Sequence, residues 1–256
     1  MGAQETDAFR ASFERTYKYA SESPPLSSIV VFAYRLNALA LVAFIWYACE
    51  VAAGVSPGPP SSWTRWLSIA CVCGAVAMIA LTYAVSHYYG HLPGFTDDDY
   101  RLSAAWDRPP ATELATIGLA LTLDLLPLLE LARPAPARLA RVIIACFTVH
   151  GIVTVAATPM SKMRGEHALS TLAFLFLLVA YQALVLATVP KSIPLKPLRD
   201  AFCILTYGSF VAIAFVFYAF SFWVRFGELF WLSVGELLAL VVVFAGIVVG
   251  GVGVGA

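Results

Sequence analysis

The chain is written in long apolar runs separated by short polar ones, and few charged residues interrupt the runs. A helix that crosses about 30 Å of hydrocarbon at about 1.5 Å per residue needs about 20 mostly apolar residues. Seven stretches reach that length: Ile29 to Ala53, Trp66 to Tyr88, Ala111 to Leu131, Leu139 to Thr158, Ala168 to Val189, Ala201 to Val224 and Leu229 to Val249. Prolines punctuate the breaks, as at Pro57, Pro59 and Pro60, at Pro109 and Pro110, at Pro134 and Pro136, and at Pro159, Pro190, Pro194 and Pro197. The pattern predicts an all-α fold, a polytopic transmembrane bundle of about seven helices over residues 29–250. An arm (1–28) precedes it and a tail (251–256) follows.

Composition agrees with the pattern. Of 256 residues, 60% are hydrophobic and 12% charged, where a soluble domain carries about 25% charge. Sixteen basic and sixteen acidic residues leave no basic excess to attract nucleic acid. Five cysteines sit inside apolar runs without a repeated spacing, so neither a disulfide framework nor a metal knuckle is expected. Four histidines are too few for a histidine-rich di-iron site. No metal and no cofactor is expected.

In the arm, Phe9, Phe13 and Tyr17 recur at helical spacing with Arg10, Arg15 and Lys18 between them, the pattern of a helix lying in the membrane interface. The first apolar run begins too late and runs too long for a cleavable signal. Met1, Gly2 and Thr6 match a weak acylation pattern. The tail alternates Gly250, Gly251, Gly253 and Gly255 with small apolar residues and is expected to fray. The loops around Arg133 to Arg141 and Lys191 to Arg199 are short and basic, whereas the loop from His87 to Glu113 is rich in Asp; this favours a cytosolic placement for the basic pair.

Ionisable groups deep in a bilayer are site candidates because burying them costs several kcal/mol unless they pair or meet water. Asp124, His150 and Glu236 lie at matching depth from one face, and together they could form an acid and base network with the imidazole as proton carrier. The alternative is a hydrogen-bonded staple between helices. Arg35 and Glu130 lie near helix ends, from which they can snorkel, and Asn37 near the start of the first helix suggests no site. A second concentration lies at one membrane surface, where His87, His91, Asp97 and Glu113 meet Glu166 and His167. The His pair with a carboxylate and a third His is acceptable metal geometry, but a loop that is solvated or ordered against lipid headgroups is the commoner use of such a patch.

The stretch from His91 through Pro93 to Asp97, then Pro110 and Glu113, then Ile117, Gly118 and Leu119, resembles the loop and following helix of the Frag1/DRAM/Sfk1 family. The resemblance continues with Gly151 to Ala157, His167, Phe174, Phe176, Tyr181 and Gln182, and with Glu236 near the start of the last helix. It covers Trp66 to Gly250. Thr96 stands where the family usually has Ser, Tyr181 and Gln182 are adjacent where the family spaces them, and a hydrophobic segment precedes the family's six helices. The resemblance implies a six-helix protein of the endomembrane system or plasma membrane that binds or modulates lipid, with membrane lipids as partners and no chemistry of its own; other membrane protein subunits are a further class of partner. Two other readings stay open. One is a lipid acyltransferase or hydrolase with His150 or His167 as base and Asp124 or Glu236 orienting it; the other is an accessory helical subunit of a membrane complex.

Overall fold

The computed structural model describes residues 27–92, 101–159, 163–226 and 230–254, and among them there is helix and no strand. The helices are α1 (Ser28–Ala52), α2 (Thr64–Tyr88), the short α3 (Leu102–Ala105), α4 (Ala111–Leu123), α5 (Leu125–Ala132), α6 (Arg138–Ala157), α7 (Arg164–Thr188), α8 (Lys196–Phe226) and α9 (Phe230–Val254). Seven spans are long and apolar enough to cross a membrane, with α4 and α5 together forming the third. The protein is an integral, multi-pass membrane protein. The interfacial arm foreseen with Phe9, Phe13 and Tyr17 lies outside the described residues.

The third and fourth spans are the core, with 61% and 56% of their apolar windows buried against 22–39% for the rest. Around them stand α1 on one side and α7, α8, α9 and α2 on the other, with α1 packed on α6 and α4, α7 on α6, α8 on α9, and α9 on α2. Small residues explain why the third span can be central, since Ala111, Ala115 and Gly118 let neighbouring backbones approach. The outer helices turn Phe32, Trp46, Phe176, Ile204 and Val241 outward, a girdle of large apolar side chains that only lipid would cover.

The third span is interrupted at Asp124, which ends α4 and precedes α5. Pro127 is the cause: it has no N–H to give the Leu123 carbonyl, and its ring crowds that carbonyl. Asp124 therefore sits at a joint within the membrane rather than on a continuous helix.

The tail does not fray at 250. α9 continues to Val254 because its glycines lie against other helices. A Cβ on Gly251 would fall 2.2 Å from the Ser68 hydroxyl and 2.9 Å from the Thr64 carbonyl, and one on Gly253 would fall 2.9 Å from Ile193. The close approach replaces the interfacial charge that the tail lacks. Gly251→Ala must push α9 off the α2 backbone, so it is expected to lower detergent-solubilised stability by about 1–3 kcal/mol, the usual cost of overpacking. A thermal melt by size-exclusion would read the loss, and an unchanged midpoint would refute this packing.

Candidate functional site

A cavity of about 150 Å³ lies between the third span, α6, α7 and α9. On α7 it is lined by His167, Thr171, Phe174, Leu175, Leu178 and Tyr181, and on α9 by Glu236, Ala239, Leu240, Val243, Phe244 and Ile247. Both sets recur every three or four residues, so each is one face of its helix and the cavity runs lengthwise along the bundle. From His167 to Tyr181 it follows about 21 Å of helix, and from Glu236 to Ile247 about 17 Å. Its opposite wall presents Leu119, Leu123, Val149 and Ile152.

One end lies near the surface carrying the Asp-rich loop. There α3 folds back into the bundle, and its backbone is tied down from both sides. The Ser86 hydroxyl donates to the Ala105 carbonyl, the Leu102 N–H donates to Glu236 Oε2 at 2.9 Å, and the Thr112 hydroxyl donates to the Trp106 carbonyl at 2.6 Å. The Trp106 indole N–H donates to the Thr82 hydroxyl at 3.1 Å, which lets a tryptophan only 3% exposed line the cavity. Nearby, Arg101 lies over the Trp223 ring at 5.6 Å.

At the other end, Tyr181 leads into a buried ion cluster. Its hydroxyl donates to Glu130 Oε1 at 2.7 Å, Arg141 Nε donates to Glu130 Oε2 at 2.8 Å, and Arg133 also donates to Oε1. Glu130 and Arg141 are 0% exposed and Arg133 1%, so the expectation that Glu130 snorkels to the surface is corrected. Pairing with two guanidiniums offsets the burial that snorkelling would have avoided. Arg141 also donates to the Arg133 carbonyl at 3.2 Å and to the Pro136 carbonyl, which ties the loop before α6, including the left-handed Ala137 (φ 54°), to the helix end. Arg133 and Arg141, counted among the basic-loop charges, are thus engaged inside the protein.

On the far side of the third span and α6 from the cavity lies a polar relay. Asn37 Nδ2 donates to Asp124 Oδ1 at 2.9 Å, His150 Nδ1 meets Asn37 Oδ1 at 3.0 Å, and His150 Nε2 meets the Tyr34 hydroxyl at 3.1 Å. The Asn37 NH2 goes to Asp124 Oδ1, which leaves Asn37 Oδ1 to accept from His150. The neutral ring is then protonated on Nδ1, and Nε2 accepts from Tyr34. The chain runs one way, from Tyr34 through His150 and Asn37 to Asp124.

The three deep groups do not converge. Asp124 and His150 share the relay but are joined only through Asn37, whereas Glu236 belongs to the α3 end of the cavity. Depth along the helices was matched, but azimuth differs: Leu123 and Val149 face the cavity while their neighbours Asp124 and His150 bond towards α1. The surface group is likewise dispersed. His87 and Glu166 are exposed and Glu113 is half-buried in the first turn of α4. His91 stacks on Tyr89 at 5.8 Å, and burial together with the Arg108 guanidinium holds its pKa below the ordinary imidazole value, against Asp107. His167 turns inward, 6% exposed, with Nδ1 donating to the Thr158 carbonyl at 2.7 Å. Asp97 lies outside the described residues. Among those described, no group of three or more His, Cys, Asp or Glu is placed to hold a metal ion.

Several residues escaped the sequence reading. Asn37 was legible in principle, because Val30, Asn37, Leu41 and Ala48 fall on one buried stripe of α1. Trp106 closes a short run, Leu102 to Trp106, that is more apolar than the acidic loop around it. Nothing local distinguishes Tyr181, whose role depends on a partner contributed by another span. No family model, curated protein or solved structure matches this chain.

Proposed function

We propose that this protein holds a membrane lipid between its helices and acts by sequestering or presenting it, without chemistry of its own. The observation that carries the reading is the elongated cavity bounded by α7, α9 and the third span, whose walls are nearly all apolar and whose length approximates one leaflet of hydrocarbon, about 15 Å. The resemblance to Frag1/DRAM/Sfk1 proteins points the same way and suggests the endomembrane system or plasma membrane as its site. Catalysis by Asp124 and His150 is less well supported, because their relay opens away from the cavity and its hydrogen-bond partners, Tyr34 and Asn37, supply no activated nucleophile.

Ala239 is 8% exposed and lines the cavity, so Ala239→Phe would fill it with an aromatic ring. Mass spectrometry of lipid retained through purification in mild detergent should find bound lipid on the wild type and a several-fold loss on Ala239→Phe. Equal retention by a folded variant, or none on the wild type, would refute lipid holding. Turnover of labelled phospholipid that Asp124→Asn abolishes at unchanged stability would establish the enzyme instead, and purification only as part of a larger assembly would favour an accessory subunit.

A further inference from the structure

We propose that the protein seats a transmembrane helix of another membrane protein in an open groove between α1 and α2, and that this helix brings a lysine or arginine at mid-membrane to Asp124. The groove follows from which helices pack. α1 and α2 are consecutive, yet each packs on the third span and makes no extended contact with the other. The third span is the most buried of the seven, but Leu121 on it is 70% exposed. Its azimuth explains why. Gly118 lies against Met78 of α2 and Thr122 against Gly74 of α2, whereas Asp124 is bonded to Asn37 of α1. At about 100° per residue, Leu121 stands about 60° from Gly118 and about 60° from Asp124, midway between the two flanking helices. Leu114 and Ile117 precede it on the same stripe and Leu125 and Leu128 follow, all half-buried.

A lipid tail would cover the leucines, but the groove also carries a charge. Asp124 lies about 20 Å along the span from Ala111. Its Oδ1 accepts from Asn37, and Oδ2 takes no hydrogen bond or ion pair from the described residues. His150 reaches it only through Asn37. The Leu123 carbonyl, deprived by Pro127 of its helical donor, adds a second acceptor at the same level. A carboxylate left so in hydrocarbon is costly, and a cation supplied by a neighbour both neutralises it and donates to it. A second copy of the chain offers no cation at that depth. Arg35, among the described residues the exposed cation furthest inside a span, is about 10 Å along α1 from Ser28, and rotation about the membrane normal conserves depth. The groove lies across the third span from the lipid cavity and stands independently of the lipid-holding reading.

Wild-type protein reconstituted in phosphatidylcholine vesicles with a dansyl-labelled polyleucine transmembrane peptide tests this, with energy transfer from the protein's tryptophans reading association. A peptide with one central lysine should bind about tenfold more tightly than the all-leucine peptide, the scale of a hydrogen bond to a charged group. Asp124→Asn should bring the lysine peptide down to the all-leucine level, while melting temperature and lipid retention stay near those of the wild type. A photoreactive group beside the lysine should label Leu121, Leu125 or Leu128 and not Phe176 or Ile204, which face outward on other helices. Equal binding of the two peptides, lysine-peptide binding unaltered by Asp124→Asn, or label on Phe176 or Ile204 would overturn the proposal. So would self-association of the protein that depends on Asp124 and takes the place of peptide binding. Each of these leaves lipid holding intact, because Asp124 does not line the cavity. A wild type that retains no lipid yet prefers the lysine peptide refutes lipid holding and supports the groove.

Discussion

Glu130→Ala is expected to be the most damaging single substitution outside the backbone, lowering stability by about 3–5 kcal/mol, the cost of leaving buried charge uncompensated. Two guanidiniums, both essentially without exposure, share this one carboxylate, and Arg133 Nε already finds no acceptor among the described residues. Removing Glu130 leaves two cations facing each other in a low-dielectric interior and strips the Tyr181 hydroxyl of its acceptor. The consequence reaches several helices, because Arg133 closes α5, Arg141 opens α6, Tyr181 belongs to α7, and Arg133 also contacts the Ile247 carbonyl of α9 at 3.4 Å. The variant should elute largely as aggregate from size exclusion in mild detergent. Glu130→Leu combined with Arg133→Met and Arg141→Leu should recover much of the loss, since apolar replacement of a whole buried ion cluster is often neutral or stabilising. A Glu130→Ala protein that melts like the wild type would mean the cluster carries no net stability.

Asn37→Ala is expected to cost about 1–4 kcal/mol, two interhelical hydrogen bonds at about 0.6–2 kcal/mol each. Asn37 is 2% exposed and bridges Asp124 and His150. Its loss breaks the tie of α1 to both core spans at once. Asp124→Asn should cost much less, because the new side chain still offers an oxygen to the Asn37 NH2. The ordering of the two variants is therefore diagnostic: a staple makes Asn37→Ala the worse in a thermal melt. If Asp124→Asn destabilises as much as Asn37→Ala, the charge on Asp124 and not the bridge is what holds α1.

The spans themselves were legible because spanning a membrane is a requirement on length and composition, both local. The prolines that end them act through their own missing N–H, also local. Even so, Pro127 inside the third run breaks the helix at Asp124, an effect that apolarity alone passes over. Arg35 is exposed on α1, as a snorkelling residue would be, whereas Glu130, closer still to its helix end, is sealed in. The difference lies in what stands opposite: Arg133, Arg141 and Tyr181 surround Glu130.

By itself, the sequence determined that this is a bundle of seven apolar helices, how deep each ionisable group lies, and which loops are basic or acidic. Depth needs only residue number and helical rise. Only the tertiary structure decided azimuth, which separates Glu236 from Asp124 and His150, turns His167 inward and leaves a cavity beside it. Azimuth depends on how neighbouring helices pack, and that packing is set by small residues such as Gly251 and by charge pairs such as Glu130 with Arg141 whose partners lie in other spans.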